Sequence, residues 1–287
     1  MNPAAPLAAL ALLFNAFTWG VSWWPFRQLE ARGLHPLWAT AGVYLLSVVA
    51  ISAWRPRAWR ELLATPSLWW LVLAAGTTNA TFNWAVTVGD VVRVVLLFYL
   101  MPLWAVLLGW ALLGERPTRL ALARVVLALV GAAIVLRPDA GGWPRPATQA
   151  EWLGLIGGFS FALNNVLLRR EAARSNGARA LAMFSGGMLV AGGLAGLLTL
   201  GGAVPAPPAP AAGWLLGAAA LALWFLAGNL SLQYGAARLT AGATAVVMVT
   251  EVVFAAGSAV ALGAGALTAP LLLGGAMIMA AALLATL

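Results

Sequence analysis

The sequence predicts an all-α membrane protein, with ten transmembrane helices arranged as two inverted five-helix repeats. Three observations carry that expectation. The 287-residue chain is 63% hydrophobic and only 8% charged, with a mean hydropathy of +0.93. Soluble domains run at about 45–50% apolar and about 25% charged. Apolar windows recur along the whole chain at about the 20 residues needed to cross a hydrocarbon core about 30 Å thick. The second half also repeats the first. Residues 9–54 match 153–198 at an offset of 144, setting Phe17 on Phe161, Gly33 on Gly177 and Leu37 on Leu181. From the third window the offset is 150, setting Asn79 on Asn229, Asn83 on Gln233, Trp84 on Tyr234, Trp104 on Phe254 and Thr118 on Thr268. A change of offset at one loop is what duplication followed by a small insertion leaves. An odd number of spans per copy forces the second copy to enter the membrane upside down.

The ten windows are 7–26, 36–54, 68–88, 91–112, 118–136, 152–170, 179–200, 214–236, 241–262 and 269–287, giving repeats at residues 1–140 and 141–287. The first window has no basic n-region and runs on through Trp24, so it is expected to be a retained helix rather than a cleaved signal. The third carries Asn79 and Asn83. In the fourth, Pro102 removes a backbone hydrogen bond, so a kink and a freed carbonyl are expected there. Just before it, Asp90 and Arg93 are placed to cap the fourth helix and pair locally, or to close an outer gate. In the fifth, Arg124 should snorkel to the membrane surface. The sixth carries Ser160, Asn164 and Asn165. Close glycines in the seventh (Gly192, Gly196) and tenth (Gly274, Gly275) suit tight helix packing. The eighth carries Asn229, Gln233 and Tyr234, and the ninth Glu251.

All sixteen basic residues are Arg, giving a net charge of +8. In a soluble chain this would suggest nucleic acid; here the Arg residues lie mostly between spans, where the positive-inside rule accounts for them. With both termini cytoplasmic, ten fall in inner loops and five in outer loops, while Arg124 lies within a span. Trp54, Trp59, Trp69, Trp70, Trp143, Trp152 and Trp214 lie near span ends and read as interface anchors. The absence of cysteine excludes disulfides, iron–sulfur clusters and thiolate chemistry.

Polar side chains within the spans are placed selectively. An unsatisfied amide in lipid costs several kcal/mol, yet Asn and Gln occur within windows 1, 3, 6 and 8 alone, two repeat-related pairs. Spacings of four put Asn79 with Asn83, Ser160 with Asn164, Asn229 with Gln233 and Thr18 with Ser22 on single helix faces. These stripes suggest a central cavity, while amides joining packed helices are the competing explanation. Trp19, Trp84, Tyr99, Trp104 and Tyr234 lie beside the stripes. Amides combined with ring faces suit a zwitterion bearing an apolar or aromatic side chain. Glu251 lies near mid-span, where an acid costs about 2.5–3.5 kcal/mol on insertion scales; it faces inward and is a candidate for proton coupling or gating, as Pro102 is for gating. Its repeat partner is Met101, so it has no acidic twin.

The segments "LMPLWAVLLGWALLGERPT", with Pro102, Gly114, Glu115 and Thr118, and "FNAFTWGVSWWPFR", with Trp19 and Gly20, resemble EamA-type members of the drug/metabolite transporter superfamily. Within it the chain is most similar to the aromatic amino-acid exporters of the YddG type. The resemblance runs through both repeats, and the Gly-Glu-Arg turn is its most specific element. It implies a ten-helix basket with helices 1, 3, 4, 6, 8 and 9 lining a central route, and a bacterial inner-membrane exporter of amino acids and similar metabolites. The second repeat departs from the pattern, with Ala264 and Gly265 where the first has Gly114 and Glu115, and Val252 after Glu251 where Pro is usual.

The expected function is secondary transport by alternating access between inverted repeats. Trp19, Asn79, Asn83, Trp84, Tyr99, Asn164, Asn229, Gln233 and Tyr234 form the expected substrate site, with no cofactor, no metal and no nucleic-acid partner. A carrier for phosphorylated, nucleotide-linked or drug-like solutes is the alternative, but a phosphate clamp would want Arg or Lys near the midplane. An intramembrane enzyme lacks a nucleophile–base or carboxylate pair, since the sole His, His35, falls in a loop. A structural or assembly protein would not require amides on four repeat-related helices.

Overall fold

The computed structural model describes residues 5–114, 116–137, 143–236, 238 and 247–284, and every regular element among them is helical. The first window is a broken helix, α1 (Ala5–Val21) and α2 (Trp23–Glu30), joined at Ser22, whose hydroxyl donates to the Trp19 carbonyl at 2.8 Å. α3 (Pro36–Trp54) is followed by α4 (Arg57–Ala64) and α5 (Ser67–Val88). The fourth window is broken as well, into α6 (Val91–Phe98) and α7 (Met101–Leu113). Then follow α8 (Arg119–Val135), α9 (Gln149–Arg170), α10 (Asn176–Leu200), α11 (Ala212–Ala236), α12 (Thr250–Ala261) and α13 (Ala269–Leu284). Residues 241–246, the expected start of the ninth span, lie outside the described residues.

Among the described residues, six helical stretches are long and apolar enough to cross a membrane: Pro6–Glu30, Pro36–Trp54, Val91–Leu112, Gln149–Arg170, Asn176–Leu200 and Ala212–Leu232. The chain is a multi-pass membrane protein. The 22-residue α5 is not among the six, because Thr77, Thr78, Asn79, Thr81 and Asn83 dilute its apolar content. α4 was not expected. It is a short amphipathic helix that buries Ala58 and Leu62 and leaves Arg57 and Arg60 exposed, as a helix lying along a membrane surface should.

The packing follows a simple exchange rule. α1 packs on α11 and α12, while α9 packs on α5 and on α6 and α7. α5 lies against α10 and α11 against α3; α3 meets α10, and α8 meets α13. Exchanging each window with the one five places away maps this set onto itself.

Glycine sets the closest approaches. A Cβ on Gly131 would lie 2.7 Å from the Gly274 carbonyl oxygen and one on Gly274 2.6 Å from that of Gly131, so the α8–α13 seam is reciprocal. In α10 the contact is made by other glycines than expected. Gly186 lies against the Val72 carbonyl and Gly76 of α5, and Gly187 lies under the Tyr44 ring. Gly192 has only Ala41 Cβ at 3.4 Å, and Gly196 faces open space. A run of small residues marks a helix that can be approached closely, but the neighbour decides which face is used.

Loops gather at two ends. At one, Arg27 of α2 donates to the Val86 and Gly89 carbonyls, Arg32 to the Gly213 carbonyl, and Arg93 to the Val135 carbonyl while pairing with Glu151 at 2.8 Å. The expected local Asp90–Arg93 ion pair is replaced by a longer reach: Asp90 caps α6 by accepting the Arg93 N–H, and the guanidinium goes to α9. At the other end Ser175 donates its N–H and hydroxyl to Glu61, two bonds that hold the Glu61 carboxyl below its ordinary range. Arg124 donates to the Leu284 carbonyl of α13 at 3.0 Å.

Candidate functional site

The break between α6 and α7 places one half of the site. Pro102 stands in the first turn of α7 and has no N–H for the Phe98 carbonyl. That carbonyl lies over Gly158 of α9, where a Cβ would sit 2.5 Å from it. The gap aims Tyr99 across to α12: its hydroxyl donates to Glu251 Oε2 at 3.0 Å, with the Met248 carbonyl 3.3 Å away. Tyr99 and Glu251 are 3% and 9% exposed. Glu251 lacks an acidic twin but has a phenol partner from the other half of the chain.

A second group lies between α3 and α5, which run antiparallel. Asn83 Nδ2 donates to Thr40 Oγ1 at 3.1 Å. One turn away Tyr44 donates to Asn79 Oδ1, while Asn79 Nδ2 returns to the Ala75 carbonyl at 2.7 Å. Asn83 is wholly buried, and its Oδ1 has no partner among the described residues. Thr40 and Tyr44 were missed in the sequence reading, although their spacing of four mirrors that of Asn79 and Asn83.

The third group joins α1 to α11. Asn15 Nδ2 donates to the Gly228 carbonyl at 2.8 Å, and Trp19 stacks on Phe225 with ring centroids 4.7 Å apart. Asn229 is half-buried one residue further along. Tyr234 lies at the loop end of α11, where the Arg238 guanidinium sits 3.7 Å above its ring. On α9, Asn164 is buried and its Nδ2 reaches Asn165 Oδ1 at 3.4 Å, a long bond that leaves its own Oδ1 without a partner among the described residues. Trp84 is half-buried, edge-on to His35 at 5.2 Å. The side chains of Gln233 and Pro102, and all of Glu115, lie outside the described residues.

Of the expected residues, Tyr99 and Glu251, Asn79 and Asn83, and Trp19 meet partners across helix seams, while Asn164 and Tyr234 meet chain neighbours and Trp84 meets the loop residue His35. Part of their hydrogen bonding goes to neighbouring helices, as the competing explanation required of Asn15, Asn79 and Asn83. What remains is a set of buried acceptor oxygens, on Asn15, Asn83 and Asn164, with no donor among the described residues. A cleft of about 580 Å³ lies elsewhere, between α1, α2, α11 and α12.

The EamA-like transporter family matches residues 6–137. This is the segment that holds α1 through α8, with Asn79, Asn83, Trp84, Tyr99 and the α6–α7 break. A protein of Vibrio cholerae serotype O1 named "Uncharacterized transporter" is 30% identical over 135 residues, 44% of this chain and 45% of that protein. The protein named RarD of Streptomyces exfoliatus is 32% identical over 167 residues, 55% of this chain and 50% of that one. The chain thus matches about half the length of these curated relatives. A crystal structure shares the fold at a TM-score of 0.56 and 18% identity, over 98% of this chain and 96% of its own. Within the EamA-like segment, Gly114 ends α7 at φ 71°, a conformation open to glycine without strain, and its N–H bonds the Trp110 carbonyl. That explains the glycine of the Gly-Glu-Arg turn.

Proposed function

We propose that the chain is a secondary transporter that exports amino acids, aromatic and other apolar or neutral ones, and related metabolites across a bacterial inner membrane by alternating access. The carrying observation is the exchange-symmetric packing: α1 on α11 and α12 is matched by α9 on α5, α6 and α7. Two copies of one five-span unit, residues 1–140 and 141–287, then face each other with opposite orientation, and rocking one against the other opens a route to either side. The EamA-like match over the first copy supports transport.

Substrate contact falls to Trp19, Asn79, Asn83, Trp84, Tyr99, Asn164, Asn229, Gln233 and Tyr234. The partnerless oxygens of Asn83 and Asn164 suit an ammonium group, and the half-buried faces of Trp19 and Trp84 suit an apolar side chain. Glu251, held by Tyr99, is the coupling residue, and the Pro102 break is the hinge that lets Tyr99 move. Arg27, bound to the Val86 and Gly89 carbonyls, closes the outer end in this state.

The test is efflux of labelled Phe, Trp, Thr and Met from proteoliposomes. Release of at least one above protein-free vesicles is expected. Vesicles that retain all four overturn the amino-acid assignment.

A further inference from the structure

The cleft between α1, α2, α11 and α12 is not accounted for by the transport site, since none of the nine proposed substrate contacts lines it. Its depth profile is ordered. Along one wall run Phe17 and Val21 of α1, Trp24 and Gln28 of α2, and Arg32 in the turn just beyond it; within each helix the pair is four residues apart and so on one face. α11 runs antiparallel beside them and fixes the depths. Arg32 donates to the Gly213 carbonyl at 3.0 Å, and Phe17 meets Trp224 edge-on at 6.0 Å. The wall is therefore apolar and aromatic toward mid-bilayer and polar, then cationic, at the loop end. On α11's side the cleft is lined by the small residues Gly217 and Ala220 toward the loop end, with Leu221 and Trp224 deeper, and Phe17 and Trp24 across it are 38% and 47% exposed.

We infer that this cleft binds one phospholipid with an anionic headgroup, from the leaflet on the side of the α2–α3 and α10–α11 loops. Arg32 takes the phosphate and the wall from Trp24 to Phe17 takes an acyl chain. Length supports this occupant. At a helical rise of about 1.5 Å the path from Phe17 through α2 to Arg32 is roughly 22 Å before the joint at Ser22 bends it, close to half of a bilayer about 40–45 Å thick including headgroups. Charge supports it too: Arg32 is exposed at the mouth, and among the described residues its guanidinium donates to Gly213 through Nη1, with further N–H groups able to reach a phosphate. Exposed Val253 on α12, Leu262 at its end, and Leu216 and Leu223 on α11 make the surrounding surface apolar, as a lipid-facing surface is.

The inference rests on the membrane-spanning reading but not on the transported solute, so a failed efflux assay leaves it standing. Its test is native mass spectrometry of the purified protein titrated with phosphatidylglycerol or phosphatidylcholine. One phosphatidylglycerol adduct should survive activation that strips the rest. Arg32→Gln should weaken its retention by about tenfold, the loss of one charge-assisted contact. Ala220→Phe fills the cleft from an exposed position and should abolish that adduct while the protein elutes as wild type does. Equal retention of the two lipids by the wild type, or an adduct indifferent to both substitutions, overturns the assignment.

Discussion

Asn83 can hold helices together or hold a substrate, and single residues can be chosen to separate the two roles. Its Nδ2 bond to Thr40 joins α3 to α5, and bonds of this kind in membranes contribute about 0.6–2 kcal/mol. Thr40→Val removes that bond and keeps the amide, whereas Asn83→Ala removes both. Thermal unfolding should shift down by a similar, modest amount in the two variants. Flux should fall much further in Asn83→Ala, and equal flux in both would make Asn83 purely structural. Glu251 calls for a different readout, because its partner is the Tyr99 hydroxyl at 3.0 Å. If this pair couples protons to transport, Glu251→Gln flattens the pH profile of flux and Tyr99→Phe displaces it. An unchanged profile in both would remove coupling from the site. The sequence showed where the amides and the acid lie, because polar groups stand out in apolar windows. It hid their partners, because Thr and Tyr are ordinary residues in such helices and often bond their own helix, as Thr78 does to the Ala74 carbonyl.

Helices were legible wherever apolar length alone decides the outcome, as for α3, whose bounds match the expected 36–54 window. Their interruptions were only partly legible. Pro102 announced the α6–α7 break, but nothing marked the Ser22 joint, and α4 was passed over as a loop although Ala58 and Leu62 share a helix face. The seams between elements were hardest to read. In α10, Gly186 and Gly196 are equivalent in composition, yet a Cβ at Gly186 would fall on the Val72 carbonyl while one at Gly196 meets nothing. A backbone oxygen cannot rotate away as a side chain can. Gly186→Ala should therefore destabilise the protein by about 1–3 kcal/mol or more, seen as a lower melting temperature and a smaller folded yield. Gly196→Ala should be neutral or stabilise by about 0.5–1 kcal/mol through helix propensity. A Gly186→Ala protein as stable as Gly196→Ala would place the α5–α10 seam elsewhere.

For the molecule as a whole, the proposed repeat rests on two sequence offsets and its proposed inversion on counting five windows per copy, so a single miscounted window would make the copies parallel. The loop contacts bear on that count. Arg32 beside Gly213 puts the α2–α3 and α10–α11 loops at one end, and Glu61 beside Ser175 puts α4 and the α9–α10 loop at the other. Ala31 and Ser175 are equivalent at the offset of 144, and the proposed inversion requires them on opposite sides of the membrane. The chain has no native cysteine, so single-cysteine variants give an unambiguous label. In intact spheroplasts an impermeant maleimide should modify Ala31→Cys and Ala203→Cys, and should reach Ala64→Cys and Ser175→Cys only after permeabilisation. All four positions except Ala64 fall in loops beyond the helix ends, and Ala64 closes the surface helix α4, so label access reports sidedness rather than burial. Labelling of Ala31→Cys and Ser175→Cys from the same side would make the repeats parallel. The two units could still rock against each other, but the inward- and outward-open states would no longer be related by an exchange of the two repeats' conformations.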